Sequence, residues 1–115
     1  MGPVDEHYDR GVEHKVSGEY EQAIAEFQAI LSIDPEHAGA HRQLGLVYGF
    51  MGMFDESIEE LSAAVKLNGG DVNARNDLAL TYAMLGMIDE AKTEFQAVLT
   101  ADPDNDVAKK NLAYF

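Results

Sequence analysis

Hydrophobic residues along this chain recur at intervals of three and four rather than two. Leu44, Val47, Tyr48 and Met51 stand at i, i+3, i+4 and i+7, the stripe of an amphipathic helix. After Gly52 a second stripe runs through Phe54, Ile58, Leu61 and Val65 to Leu67. Leu78, Tyr82 and Leu85 form a third stripe, followed across Gly86 by Ile88, Ala91, Phe95, Val98 and Leu99. No segment shows the two-residue alternation of a strand, so the pattern predicts an all-α chain of paired helices. Gly18, Gly52 and Gly86 fall between stripes, where the chain needs the positive φ that glycine adopts without strain. Asp55 and Asp89 open the second helix of a pair, where their charge suits the helix N-terminus. Asp71 and Asn105 are placed to cap the helix that follows.

The stripes repeat as blocks. Glu26-Phe27-Gln28-Ala29-Ile30-Leu31 returns 68 residues later as Glu94-Phe95-Gln96-Ala97-Val98-Leu99, each followed two residues on by Asp-Pro. Half of that offset, 34, aligns Leu44, Leu78 and Leu112, and also Gly18, Gly52 and Gly86. Tyr48 and Tyr82 share a position, as do Phe27, Leu61 and Phe95, and so do Glu26, Glu60 and Glu94. The chain therefore divides into three tandem units, Val4–His37, Ala38–Asp71 and Val72–Asn105, with a partial capping helix over Asp106–Phe115.

Composition narrows the function. The 115 residues suit one domain, and 46% hydrophobic with 25% charged is a globular balance. Asp and Glu number 21 against 8 Lys and Arg, a formal net charge of −13. Such a chain lacks the clustered cations that neutralise phosphate, which argues against nucleic acid and against an anionic membrane surface. Cysteine is absent, which excludes disulfides, thiolate catalysis and zinc-cysteine sites. No apolar run approaches the roughly 20 residues of a membrane span. The Met1–Glu6 segment lacks the basic and apolar regions of a signal peptide, and the cytoplasm is the default expectation.

A 34-residue helix-turn-helix unit with Leu44-Gly45 and Tyr48, then Ala23, Phe27 and Pro35 in the first unit and Ala91, Phe95 and Pro103 in the third, resembles the tetratricopeptide repeat (TPR) family. The sequence departs from the pattern in places. His7, His41 and Arg75 occupy its Trp position, Gly69 replaces the Pro of the second unit, and Ser57 replaces its Ala. Arg10 and His14 replace the Leu and Tyr of the first unit, so its first helix is expected to dock poorly or fray. The resemblance implies a right-handed superhelical α-solenoid with a concave groove lined by the first helix of each unit.

By that resemblance the groove residues include Tyr8, Asp9, Val12, Lys15 and Val16, then Arg42, Gln43, Leu46, Gly49 and Phe50. The third unit contributes Asn76, Asp77, Leu80 and Met84, and the C-terminal helix Lys110, Asn111 and Tyr114. Val12, Leu46, Leu80 and Tyr114 form an apolar rail, and Asp9, Gln43, Asp77 and Asn111 a polar rail able to bond an extended peptide. Gly49 sits in a helix crowded with glycine, which reads either as sequence drift or as a notch beside Phe50 and Met84. Some family members grip the C-terminal carboxylate of heat-shock chaperones with Lys, Asn and Arg. Here those places hold Tyr8, Val12, Gln43, Asn73 and Asp77, which disfavours such a clamp.

Other signals read as structural. His37 and His41 are four apart, but no Glu follows His37, so the zinc-protease motif fails and no metal or other cofactor is expected. Glu21, Glu26, Glu56, Glu59, Glu60, Glu90 and Glu94 read as a solvated convex face, with a basic partner as the alternative. The serines lie in no nucleophile elbow, so no enzyme is predicted. The expected function is an adaptor or scaffold binding a peptide or helix of a partner protein, oriented by Arg42, Gln43, Asn76 and Asp77. The alternative is self-association, weakly, through the C-terminal end that exposes Tyr114 and Phe115.

Overall fold

The computed structural model of the chain describes residues 2–115, and all regular structure among them is helical. The helices are α1 (Pro3–Val16), α2 (Tyr20–Ile33), α3 (Ala38–Phe50), α4 (Phe54–Leu67), α5 (Val72–Met84), α6 (Ile88–Ala101) and α7 (Asp106–Leu112). Each of α1–α2, α3–α4 and α5–α6 is a tightly packed hairpin, successive hairpins touch through α2–α3 and α4–α5, and α7 closes on α6. The first helices also approach one another, α1 to α3 and α3 to α5, along one edge of a body measuring 41 × 26 × 20 Å. This is an all-α array of repeated helix pairs.

Each hairpin turn is built the same way, and the glycine is the reason. Gly18, Gly52 and Gly86 have φ of 77°, 75° and 77°, and no other described residue has a positive φ. The left-handed glycine lets the next N–H turn back on the helix it leaves: Glu19 N–H donates to His14 O at 2.8 Å, Met53 to Tyr48 at 2.8 Å and Met87 to Tyr82 at 2.9 Å. This closure satisfies carbonyls that a helix end otherwise leaves bare. Asp55 and Asp89 lie in the first turn of α4 and α6, where they contribute charge and no side-chain cap. The caps expected of Asp71 and Asn105 are present, with Asp71 accepting from Asn73 N and Ala74 N, and Asn105 from Ala108 N.

Two core centres follow from the repeated aromatic position. Phe27 is fully buried with Ala23, Ile30, Ala40, Leu44 and Val47, and Phe95 with Ala79, Ala91, Val98 and Ala108. Close helix approach depends on small residues facing the large ones. A Cβ on Gly11 would lie 2.6 Å from Phe27 Cε1, and one on Gly45 would lie 2.6 Å from Leu61 Cγ. The contact at Gly11 explains why α1 docks as an unfrayed 14-residue helix despite Arg10 and His14. Val4, Tyr8 and Val12 pack on the Phe27 centre, while Arg10 reaches across to Glu26. No described helix is long and apolar enough to cross a membrane.

Candidate functional site

Position Tyr8 on α1 sets one end of the edge formed by the first helices. Its ring meets Phe27 edge-on with centroids 5.9 Å apart, and its hydroxyl accepts from Gln43 Nε2 at 3.0 Å. Gln43 Oε1 in turn accepts from Lys15 Nζ at 2.7 Å, so this buried glutamine ties α3 to α1 twice. One step further, Arg42 Nε donates to Asp77 Oδ2 at 2.7 Å and ties α3 to α5. Burial pushes the Asp77 carboxyl up, and the bond from Arg42 opposes that shift. Burial pushes the Lys15 ammonium down, aided by the positive charge of Arg42 and opposed by Asp77.

Beyond the Arg42–Asp77 pair the surface opens into a cavity of about 430 Å³ between α3, α4 and α5. Its wall brings together Leu46, Gly49, Phe50, Asp77, Leu80 and Met84 from the sequence-predicted groove, with Gly45, Phe54, Ser57, Leu61 and Thr81 behind them. Phe50 is 60% and Met84 65% exposed, large apolar side chains left facing water at the mouth. The polar hydroxyls in the wall are spent internally, since Ser57 Oγ donates to Gly45 O at 2.7 Å and Thr81 Oγ1 to Asp77 O at 2.8 Å. Gly49 supplies the depth. A Cβ there would meet only Ser57 Oγ, at 3.5 Å, so the missing side chain leaves open space and resolves no clash.

The remaining predicted groove residues are distributed differently. Val12 is half-buried against the Phe27 centre, and Asp9 and Lys110 are exposed. Asn111 Nδ2 donates to Val107 O within its own helix. Asn76 is 5% exposed and donates Nδ2 to Asn105 Oδ1 at 3.1 Å, beneath the start of α7, where its own Oδ1 finds no protein partner. It therefore belongs to the α5–α7 contact and lies outside the cavity wall. Of the polar rail, Gln43 and Asp77 are committed to neighbouring first helices, so the polar groups brace the edge more than they line it.

Sequence reasoning missed a second polar system on the opposite side of the first helices. His7 Nδ1 meets Glu26 Oε1 at 2.7 Å, His41 Nδ1 meets Glu60 Oε1 at 2.7 Å, and Arg75 Nη1 donates to Glu94 Oε1 at 3.1 Å. Each pair spans 19 residues, and the three pairs are spaced by 34. Glu26, Glu60 and Glu94 are thus half-buried hydrogen-bond partners of the first helices, a correction to the solvated face, while Glu21, Glu56, Glu59 and Glu90 are exposed as expected. The signal was in the sequence, in the shared offset of two repeating positions.

Among curated proteins, none matches the chain. Among solved structures, the first TPR of Spaghetti (RPAP3) bound to the HSP90 peptide SRMEEVD is 22% identical, with a TM-score of 0.90 over 96% of this chain and 88% of that one. The second TPR domain of human RPAP3, in complex with the HSP70 peptide SGPTIEEVD, is 26% identical, with a TM-score of 0.89 over 98% and 97%. MamA is 26% identical, with a TM-score of 0.81 over 97% of this chain and 61% of that one. A model described as TPR repeat matches residues 16–52, and one described as tetratricopeptide repeat matches residues 51–113. With its 34-residue period, its glycine-closed hairpins and these matches, the chain belongs to the tetratricopeptide repeat family.

Proposed function

We propose that the chain is a protein-interaction module that takes a large apolar side chain of a partner segment into the cavity between α3, α4 and α5. The observation that carries this reading is the cavity wall itself: Leu46, Phe50, Leu80 and Met84 remain in contact with water around a recess deepened by Gly49. Burying them on a partner removes apolar surface from water, and anchors of this kind dominate peptide recognition. The Arg42–Asp77 pair at the mouth orients the incoming backbone. The ligands named with the two RPAP3 domains are peptides with acidic ends. In this chain a carboxylate, Asp77, stands in the cavity wall, which favours an apolar anchor over an acidic chain end. We read the units as Val4–His37, Ala38–Asp71 and Val72–Asn105, with Asp106–Phe115 as a half-unit cap.

A displayed peptide library selected on the wild-type chain tests this, with each enriched peptide titrated against Leu80→Glu. The expected result is enrichment of a bulky apolar position and loss of binding in the variant with helicity intact. Binding that survives Leu80→Glu would place the partner on another surface. A second reading, self-association, is favoured by Tyr114 at 88% exposure and by exposed Val107 on α7. Sedimentation across a concentration range separates the two, since an adaptor of this kind stays monomeric.

A further inference from the structure

The two junctions between successive helix pairs perform the same two tasks with different chemistry. At the second junction, Asp71 caps α5 by accepting from Asn73 N at 3.0 Å and Ala74 N at 3.1 Å. Four residues on, Arg75 clamps the loop to the next pair, donating Nε to Gly69 O at 3.1 Å and Nη1 to Glu94 Oε1 at 3.1 Å. The carboxylate serves as acceptor only and the guanidinium as donor only.

At the first junction the equivalent positions, 34 residues earlier, are His37 and His41. His37 caps α3 by accepting the Ala40 N–H on Nδ1 at 2.9 Å. His41 faces Glu60 Oε1 with Nδ1 at 2.7 Å and Pro35 O with Nε2 at 2.9 Å. A nitrogen that accepts must hold a lone pair, so His37 fulfils its task only with Nδ1 unprotonated. A carboxylate and a carbonyl both accept, so His41 fulfils its task only with a proton on each nitrogen, as Arg75 always does. A neutral His41 leaves one contact with lone pair against lone pair, and a doubly protonated His37 sets N–H against N–H.

We propose that the first junction is a proton-sensitive joint, in which His37 serves as a cap only when neutral and His41 as a clamp only when charged. Acid therefore dissolves the cap and alkali dissolves the clamp, and the junction is strongest between the two. Other charges bear on both rings. Asp5 and the Tyr8 ring, 6.0 Å away by centroid, face His37 from α1, and the negative Asp5 works against the neutral state of the cap. Glu60 on α4 is the charged group against His41, and it also acts on the Tyr48 phenol of α3. The joint holds the start of α3 to α4 and to the loop after α2, while the Lys15–Gln43–Tyr8 contacts hold α1 to α3 independently of it.

Nitrogen-15 spectra of the imidazoles in the wild-type chain across a pH series read the protons directly. The expected pattern is an interval of pH in which the His41 ring is protonated on both nitrogens while the His37 ring keeps an unprotonated Nδ1. Replacing the pair with the residues of the second junction supplies the functional arm. His37→Asp is expected to carry the acid limb of the melting-temperature profile to lower pH, and His41→Arg to weaken the alkaline limb. Each limb corresponds to a lost hydrogen bond, on the order of 4 °C. Both substitutions leave the other two histidines, His7 and His14, in place, so differences between profiles isolate the joint. The absence of any such interval, or profiles unchanged by both substitutions, would overturn the proposal. Should a variant fail to fold, the wild-type spectra alone decide.

Discussion

Replacing Gly49 with alanine separates the two roles this glycine could have, because the structure fixes one effect and leaves the other to the partner. The new Cβ would touch only Ser57 Oγ, at 3.5 Å, an ordinary van der Waals distance, so no packing penalty opposes the gain in helix propensity. That gain is about 0.8–1.0 kcal/mol for an interior Gly→Ala change, which corresponds to a rise in Tm of about 4 °C for a chain of this size. The same methyl group enters the cavity wall. One methylene too many in an apolar pocket changes affinity by about tenfold or more. The variant should therefore melt higher and bind a selected peptide about ten times more weakly. Calorimetric scanning and titration, both at one salt concentration, give the two numbers. A higher Tm with unchanged affinity would show that the recess is not where the anchor sits and that Gly49 only weakens the helix. An unchanged Tm would refute the geometry of open space around it.

Gly45→Ala should behave oppositely to Gly49→Ala, since its Cβ would lie 2.6 Å from Leu61 Cγ and 3.2 Å from the Leu61 backbone nitrogen; a destabilisation of about 1–3 kcal/mol, typical of overpacking, is expected in urea unfolding. Gly11→Ala meets the Phe27 ring at 2.6 Å and should cost a similar amount, with α1 detaching first in hydrogen exchange. Arg10, and then His7, hold the Glu26 carboxyl below the usual glutamate range against a weaker opposing effect of burial. The stability this contributes is present above the ordinary glutamate range and is lost as pH falls through the lowered value. Glu26→Gln should therefore lower the urea midpoint at neutral pH and converge with wild type in acid; a constant difference across pH would refute the ion-pair account.

The helices, their pairing and the positive-φ glycines were legible because each rests on local spacing: three-and-four periodicity, and a glycine at the same place in every unit. The cavity was legible through repetition, since Leu46, Leu80, Phe50 and Met84 occupy equivalent positions. What the sequence obscured depends on relations between helices. Glu60 looks like an outward glutamate on α4 until α3 brings His41 to it. Asn76 looks like a groove residue until α7 covers it. His37 as a cap is difficult to foresee, because a histidine accepts a backbone N–H only in one tautomer, and spacing carries no information about tautomers.

The braces along the inner edge have a geometric meaning of their own. Apolar contacts between helices have no direction and permit sliding, whereas Lys15–Gln43 and Arg42–Asp77 are spans of fixed side-chain length between successive first helices. They act as struts, and strut length sets how far the first helices splay apart while the second helices stay in contact behind them. The curvature of the array is then adjustable one side chain at a time. Shortening Arg42 to lysine or lengthening Asp77 to glutamate alters the strut between α3 and α5 and leaves the Phe27 and Phe95 core centres intact.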